Sequence, residues 1–184
     1  MNYNELSKQI HAAQVAKGFY EHKPSDNEKV VLIISELYEM LDANRKGKML
    51  KDEHLQRFLG LESFGEFDCQ IFEKTCKSTF EFEFTDVFIR FLDFAGFKGY
   101  EFKDLEFPFV GMLEGNFFSD VMQANESFLW FYNDASSADI EFHFDYCLAM
   151  LERFAKKYSI DLETLIRIKL KYSLTLPYKH GKRY

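Results

Sequence analysis

Cysteine, proline, long apolar runs and positive charge are all in short supply in this chain, and each shortage closes off a class of protein. The three cysteines, Cys69, Cys76 and Cys147, form no CxxC pair, and an odd number does not build a disulfide framework. With no histidine near Cys69 or Cys76, a zinc site is not expected, and both read as small core residues. No apolar run reaches the 18 or so residues that span a bilayer. The opening Met1-Asn2-Tyr3-Asn4-Glu5 lacks the basic and then apolar layout of a signal peptide. The expectation is a cytoplasmic protein with no membrane partner. Lys and Arg number 23 against 30 Asp and Glu, for a net charge of -7. Binding polynucleotide by counterion release needs a basic footprint, so no nucleic-acid partner is expected and any nucleotide ligand is a small molecule.

Phenylalanine is what the chain has in quantity. There are 22 in 184 residues, and hydrophobic residues make up 47%. That supports one globular domain over residues 1–184 with a substantial core. With only three prolines to interrupt it, the chain reads as helices joined by short breaks. A first helix is predicted over about 4–20. A second starts at the Ser25/Glu28 capping-box pattern and ends near Gly47. Residues 48–78 read as an insertion with short helices around 53–59 and 69–76, whose Phe58, Phe64, Phe67 and Phe72 need cover. A third long helix contains 83–94. Phe80, Phe82 and Phe84 before it alternate with Glu81 and Glu83 as in a strand, but the helical period over 84–94 is longer and decides for helix. Gly96 and Gly99 are read as its end. Residues 100–109 are a loop or short extended piece stopped by Pro108. Helices follow over about 117–132, 141–158 and 162–172, the last opened by Asp161 as N-cap, and an irregular tail surrounds Pro177 and Gly181. The expected architecture is an all-α helical bundle with a partly helical insertion.

Charge is concentrated where apolar residues otherwise dominate. Glu83, Asp86, Arg90 and Asp93 are spaced three, four and three apart, which puts all four within an arc of roughly 80° on a helix. Glu36 and Glu39 form a second acidic pair inside the apolar run 30–41. Two carboxylates about 5 Å apart at an effective dielectric of about 20 repel by roughly 3 kcal/mol, and partial burial adds several more per ion. If the two pairs meet in a cleft they need a cation. Mg²⁺, with Mn²⁺ as a substitute, suits an all-oxygen donor set and commonly bridges carboxylates to phosphates. The plain alternative is two solvated helix faces that never meet. Two basic clusters, Arg45, Lys46 and Lys48, and Lys179, His180, Lys182 and Arg183, are placed to meet phosphates or else complement a helix end and a solvated tail.

These residues carry a resemblance. Glu36-Leu37-Tyr38-Glu39 and Glu83-Phe84-Thr85-Asp86 match the paired acidic motifs of the all-α nucleotide pyrophosphohydrolase family typified by MazG. Ser35-Glu36-Leu37, Asn44-Arg45-Lys46-Gly47, Ile89-Arg90 with Asp93, and Pro177-Tyr178-Lys179-His180-Gly181-Lys182 resemble the same branch. The likeness spans the chain apart from 48–78 and about 100–115. It implies Mg-dependent hydrolysis of a nucleoside triphosphate to a monophosphate and pyrophosphate. Glu36, Glu39, Glu83 and Asp86 would hold the metal, with Glu36 or Glu39 as the catalytic base. Lys169, Tyr172, Lys179, His180 and Lys182 would close over phosphates or base. Arg90 and Asp93 would support the site from behind, Asp93 as an outer metal ligand or as the i+3 partner of Arg90. A homodimer or homotetramer is also implied. The chain departs from the family at Ser173, where relatives usually have Asn, and at Leu176, where they usually have Arg. That departure motivates a second expectation, a catalytically silent nucleotide-binding or regulatory protein of the same fold. A purely structural helical protein is a third. A di-iron bundle is excluded because no histidine follows a glutamate by three positions.

Overall fold

Short-range signals set most of the helix ends. In the computed structural model, which describes residues 1–63, 65–103, 115–133 and 137–181, the Ser25 hydroxyl accepts from the Glu28 amide at 3.2 Å. The Glu28 carboxylate accepts from the Ser25 amide at 2.6 Å. This reciprocal cap opens α2. Asp68 and Asp161 cap two later helices from one side only, accepting from the amides of Ile71 and Thr164. The helices are α1 (Tyr3–Ala16), α2 (Asp26–Arg45), α3 (Asp52–Ser63), α4 (Cys69–Thr75), α5 (Phe80–Lys98), α6 (Phe117–Asn133), α7 (Ser137–Lys157) and α8 (Leu162–Thr175), followed by a 3₁₀ turn at Tyr178–Gly181. The described residues contain no strand. The all-α bundle expected from the sequence is what forms. No described helix is long and apolar enough to cross a membrane.

Helix α5 is the centre of the molecule. The alternation of Phe80, Phe82 and Phe84 does not make a strand, because all three rings are buried by neighbours on different sides. Phe82 lies 4.9 Å from Phe72 of α4, and Phe84 stacks on Phe154 of α7 at 4.7 Å. Further along, Phe94 meets Phe131 of α6 at 5.3 Å. A helix that is apolar nearly all round is a core helix, and its few charged residues then mark the sector that is not covered.

Two glycines in α5 have different jobs. Gly99 takes the left-handed conformation (φ 63°) that ends the helix. Gly96 does not end it, contrary to expectation; the helix runs on to Lys98. Gly96 is instead where α1 crosses, since a Cβ there would sit 2.6 Å from the Ser7 carbonyl oxygen and from His11 Cβ.

The 48–78 segment carries the two short helices expected of it, α3 and α4, and packs against the bundle. Phe58 and Phe72 are buried, Phe67 packs against both, and Phe72 stands 4.6 Å from the ring of Tyr172 on α8. Its described aromatics are covered within the chain, so those three do not argue for a partner. The loop expected near Pro108, and Phe64, lie outside the described residues.

Candidate functional site

Helices α2 and α5 pack side by side with their acidic turns facing. One carboxylate oxygen from each of Glu36, Glu39 and Glu83 lies within 4.8 Å of the other two. Glu36 and Glu83 are buried and Glu39 is exposed. The three line a cleft of about 530 Å³, within the usual size range of small-molecule sites. Its other walls are α8, with Lys169, Leu170, Tyr172, Ser173 and Leu176, the α4 end with Glu73, Lys77 and Ser78, and Gln14 of α1. The two acidic pairs therefore meet.

Asp86 lines the same cleft but stands apart from the trio. Its Oδ2 accepts from Lys169 Nζ at 2.5 Å, so the fourth expected metal ligand already has a cation. Arg90 also faces the cleft, and its Nε donates to Glu36 Oε1 at 3.1 Å. The trio keeps the mark of its crowding. Burial, and after it the charge of Asp86, pushes the Glu83 carboxyl up to about 7. Burial raises Glu36 as well, against the opposing pull of Arg90.

Asp93 is occupied structurally. It lines the cleft but accepts from Lys29 Nζ at 2.8 Å, Tyr20 hydroxyl at 2.8 Å and His11 Nδ1 at 3.1 Å, joining α1, α2 and α5. Lys29 is buried with it and lies 3.9 Å from the centroid of the Tyr20 ring. Burial lowers the Lys29 ammonium while the Asp93 charge opposes that. The i+3 pairing of Asp93 with Arg90 does not form; Arg90 turns to Glu36 and Asp93 to Lys29.

The residues expected to hold substrate divide. Lys169 and Tyr172 line the cleft, although Lys169 is paired with Asp86 and the Tyr172 hydroxyl donates to Glu73 at 2.7 Å. Lys179 is directed elsewhere. Its Nζ pairs with Glu21 at 2.7 Å and its amide donates to the Lys17 carbonyl at 2.9 Å, fastening the tail to the end of α1. The His180 side chain and Lys182 lie outside the described residues. Ser173 donates its hydroxyl to the Leu170 carbonyl at 2.7 Å, and Leu176 presents an aliphatic side chain to the cleft.

Sequence reading missed Gln14, Glu73, Lys77 and Ser78 on the rim, and Lys29 with Tyr20 and His11 behind it. Lys29 had a signal: it precedes Glu36 by seven residues, two helical turns back on the same face. The others had none. Searches against protein-family models, curated proteins and solved structures find no match to this chain.

Proposed function

We propose that this protein is a divalent-cation-dependent nucleoside triphosphate pyrophosphohydrolase, splitting its substrate into a nucleoside monophosphate and pyrophosphate. The observation that carries the reading is the convergence of Glu36, Glu39 and Glu83 within 4.8 Å in a cleft large enough for a small ligand. At an effective dielectric of about 20, each pair of those charges repels by roughly 3 kcal/mol, and only Glu36 has a hydrogen-bonded cation among the described residues. Three carboxylate oxygens from two rigid helices fit Mg²⁺ or Mn²⁺, and these three residues would hold it. When bound, the ion supplies charge neutralisation and Lewis acidity at the phosphate.

The chain's own groups supply the rest. Arg90 fixes the orientation of Glu36. Glu39 is exposed and free of such a bond among the described residues, so it is the group to take the proton from an attacking water. Glu83, whose carboxyl burial pushes up to about 7, would hold the ion in its ionised form. Lys169 holds Asp86 in the wall of the cleft and offsets part of its charge.

Pyrophosphate release from a panel of ribo- and deoxynucleoside triphosphates, with Mg²⁺ and with EDTA, tests this. Turnover of at least one member that EDTA abolishes is expected. One observation favours a second reading. Ser173 spends its hydroxyl on the helix backbone and Leu176 is apolar, so that end of the cleft offers neither the amide nor the guanidinium of the resembled family. A silent nucleotide binder accounts for that, and it predicts a raised melting temperature with Mg²⁺ and nucleotide but no turnover.

A further inference from the structure

The cations of the cleft are not equivalent. Among the described residues three line it: Arg90, Lys169 and Lys77. Arg90 is bonded to Glu36 and Lys169 to Asp86. Lys77 is exposed, 5.8 Å from the Tyr172 ring centroid, and no carboxylate of the described residues lies within ion-pair distance of it. The Ser78 hydroxyl beside it also lines the cleft and makes no hydrogen bond to the described residues.

The backbone under these two side chains is held firmly. The amides of Cys76 and Lys77 both donate to the Phe72 carbonyl, at 2.9 and 3.0 Å, and the Thr79 hydroxyl donates to the Cys76 carbonyl at 2.8 Å. Phe72 is itself wholly buried against α5 and α8. The turn between α4 and α5 therefore presents one uncommitted ammonium and one uncommitted hydroxyl from a fixed base. An ammonium on a flexible stem is a point charge suited to phosphate oxygens, and one with no carboxylate partner gives up no ion pair to bind them.

We propose that Lys77, assisted by Ser78, binds the phosphate chain of a ligand in the cleft, at the turn between α4 and α5. The 48–78 insertion thereby fits an acidic cleft to an oligophosphate anion. The proposal rests on the reading of the trio as a divalent-cation site. The site remains negative even with Arg90 and Lys169 counted, so an anionic ligand needs both the metal ion and a free cation to enter.

Calorimetric titration of the full chain first with Mg²⁺ alone, and then with inorganic pyrophosphate in excess Mg²⁺, tests it. Lys77→Met should leave Mg²⁺ affinity unchanged and weaken pyrophosphate tenfold or more, with Lys77→Arg recovering part of the loss. Lys74→Met, a charge removed from α4 outside the cleft lining, should change neither. Equal pyrophosphate affinity in wild type and Lys77→Met, or an equal loss in Lys74→Met, overturns the assignment and leaves the cation site standing. Wild type that binds Mg²⁺ but no pyrophosphate also overturns it. Wild type that binds no Mg²⁺ removes the reading of the cleft on which it rests, and the assignment with it.

Discussion

At the scale of single residues, the carboxylates of the cleft are costly in the absence of a cation, and that cost has a measurable pH dependence. Glu83 titrates near 7 in the folded protein and near the ordinary carboxylate value when unfolded. The folded state thus holds the extra proton between those values, so its stability falls as pH rises from about 4.5 to 7 and then levels off. Other carboxylates, such as Glu28, are lowered by their hydrogen bonds and act in the opposite sense, so the effect of Glu83 is isolated as a difference. Glu83→Gln should match wild type near pH 4.5 and exceed it by about 1–3 kcal/mol at pH 8 in metal-free urea melts. Divalent-cation affinity of wild type should rise with pH up to about 7 and be at least tenfold weaker in the variant. Asp93 predicts the opposite outcome. Asp93→Asn leaves Lys29 buried without its counter-charge and should cost about 3–5 kcal/mol, part of which Lys29→Met in the same chain restores. Glu36, Glu39 and Glu83 were legible because an acidic pair in an apolar helix is a local pattern. The grip of Lys169 on Asp86 was not, since it joins α5 to α8 with no spacing rule between them.

At the scale of elements, caps read directly from local sequence, whereas the start of α5 and its glycines do not. The capping box at Ser25 and the N-cap at Asp161 were legible because their hydrogen bonds close within four residues. The start of α5 was ambiguous because alternation of Phe with Glu fits a strand as well as a helix buried on several sides. Only tertiary neighbours such as Phe72 and Phe154 decide it. Gly96 shows why a glycine near a helix end is not always its stop: the absent Cβ is filled by α1. Gly96→Ala should push the two helices apart at a cost of about 1–3 kcal/mol. It should also loosen the His11 contact to Asp93, read as faster amide exchange in α1. An unchanged melting midpoint would show that the crossing has slack.

At the scale of the whole molecule, the helical class was legible because one apolar period dominates each long segment. The role of the 48–78 insertion was not. It read as a partly helical insertion whose aromatics need cover, and long-range packing of Phe72 between α5 and α8 makes it a wall of the cleft and brings Glu73, Lys77 and Ser78 to the site. Such a wall is defined by contacts that no short sequence window contains. The proposed function has helices α2 and α5 bring their carboxylates together around a cation for phosphate chemistry. It is tested most directly by identifying the products when the panel's best triphosphate is incubated with wild type, Glu36→Gln and Glu83→Gln in Mg²⁺. The account predicts nucleoside monophosphate and pyrophosphate in equal amounts from wild type and at least a hundredfold loss of rate in either variant. Diphosphate with inorganic phosphate as products, or full turnover without these two glutamates, would contradict it.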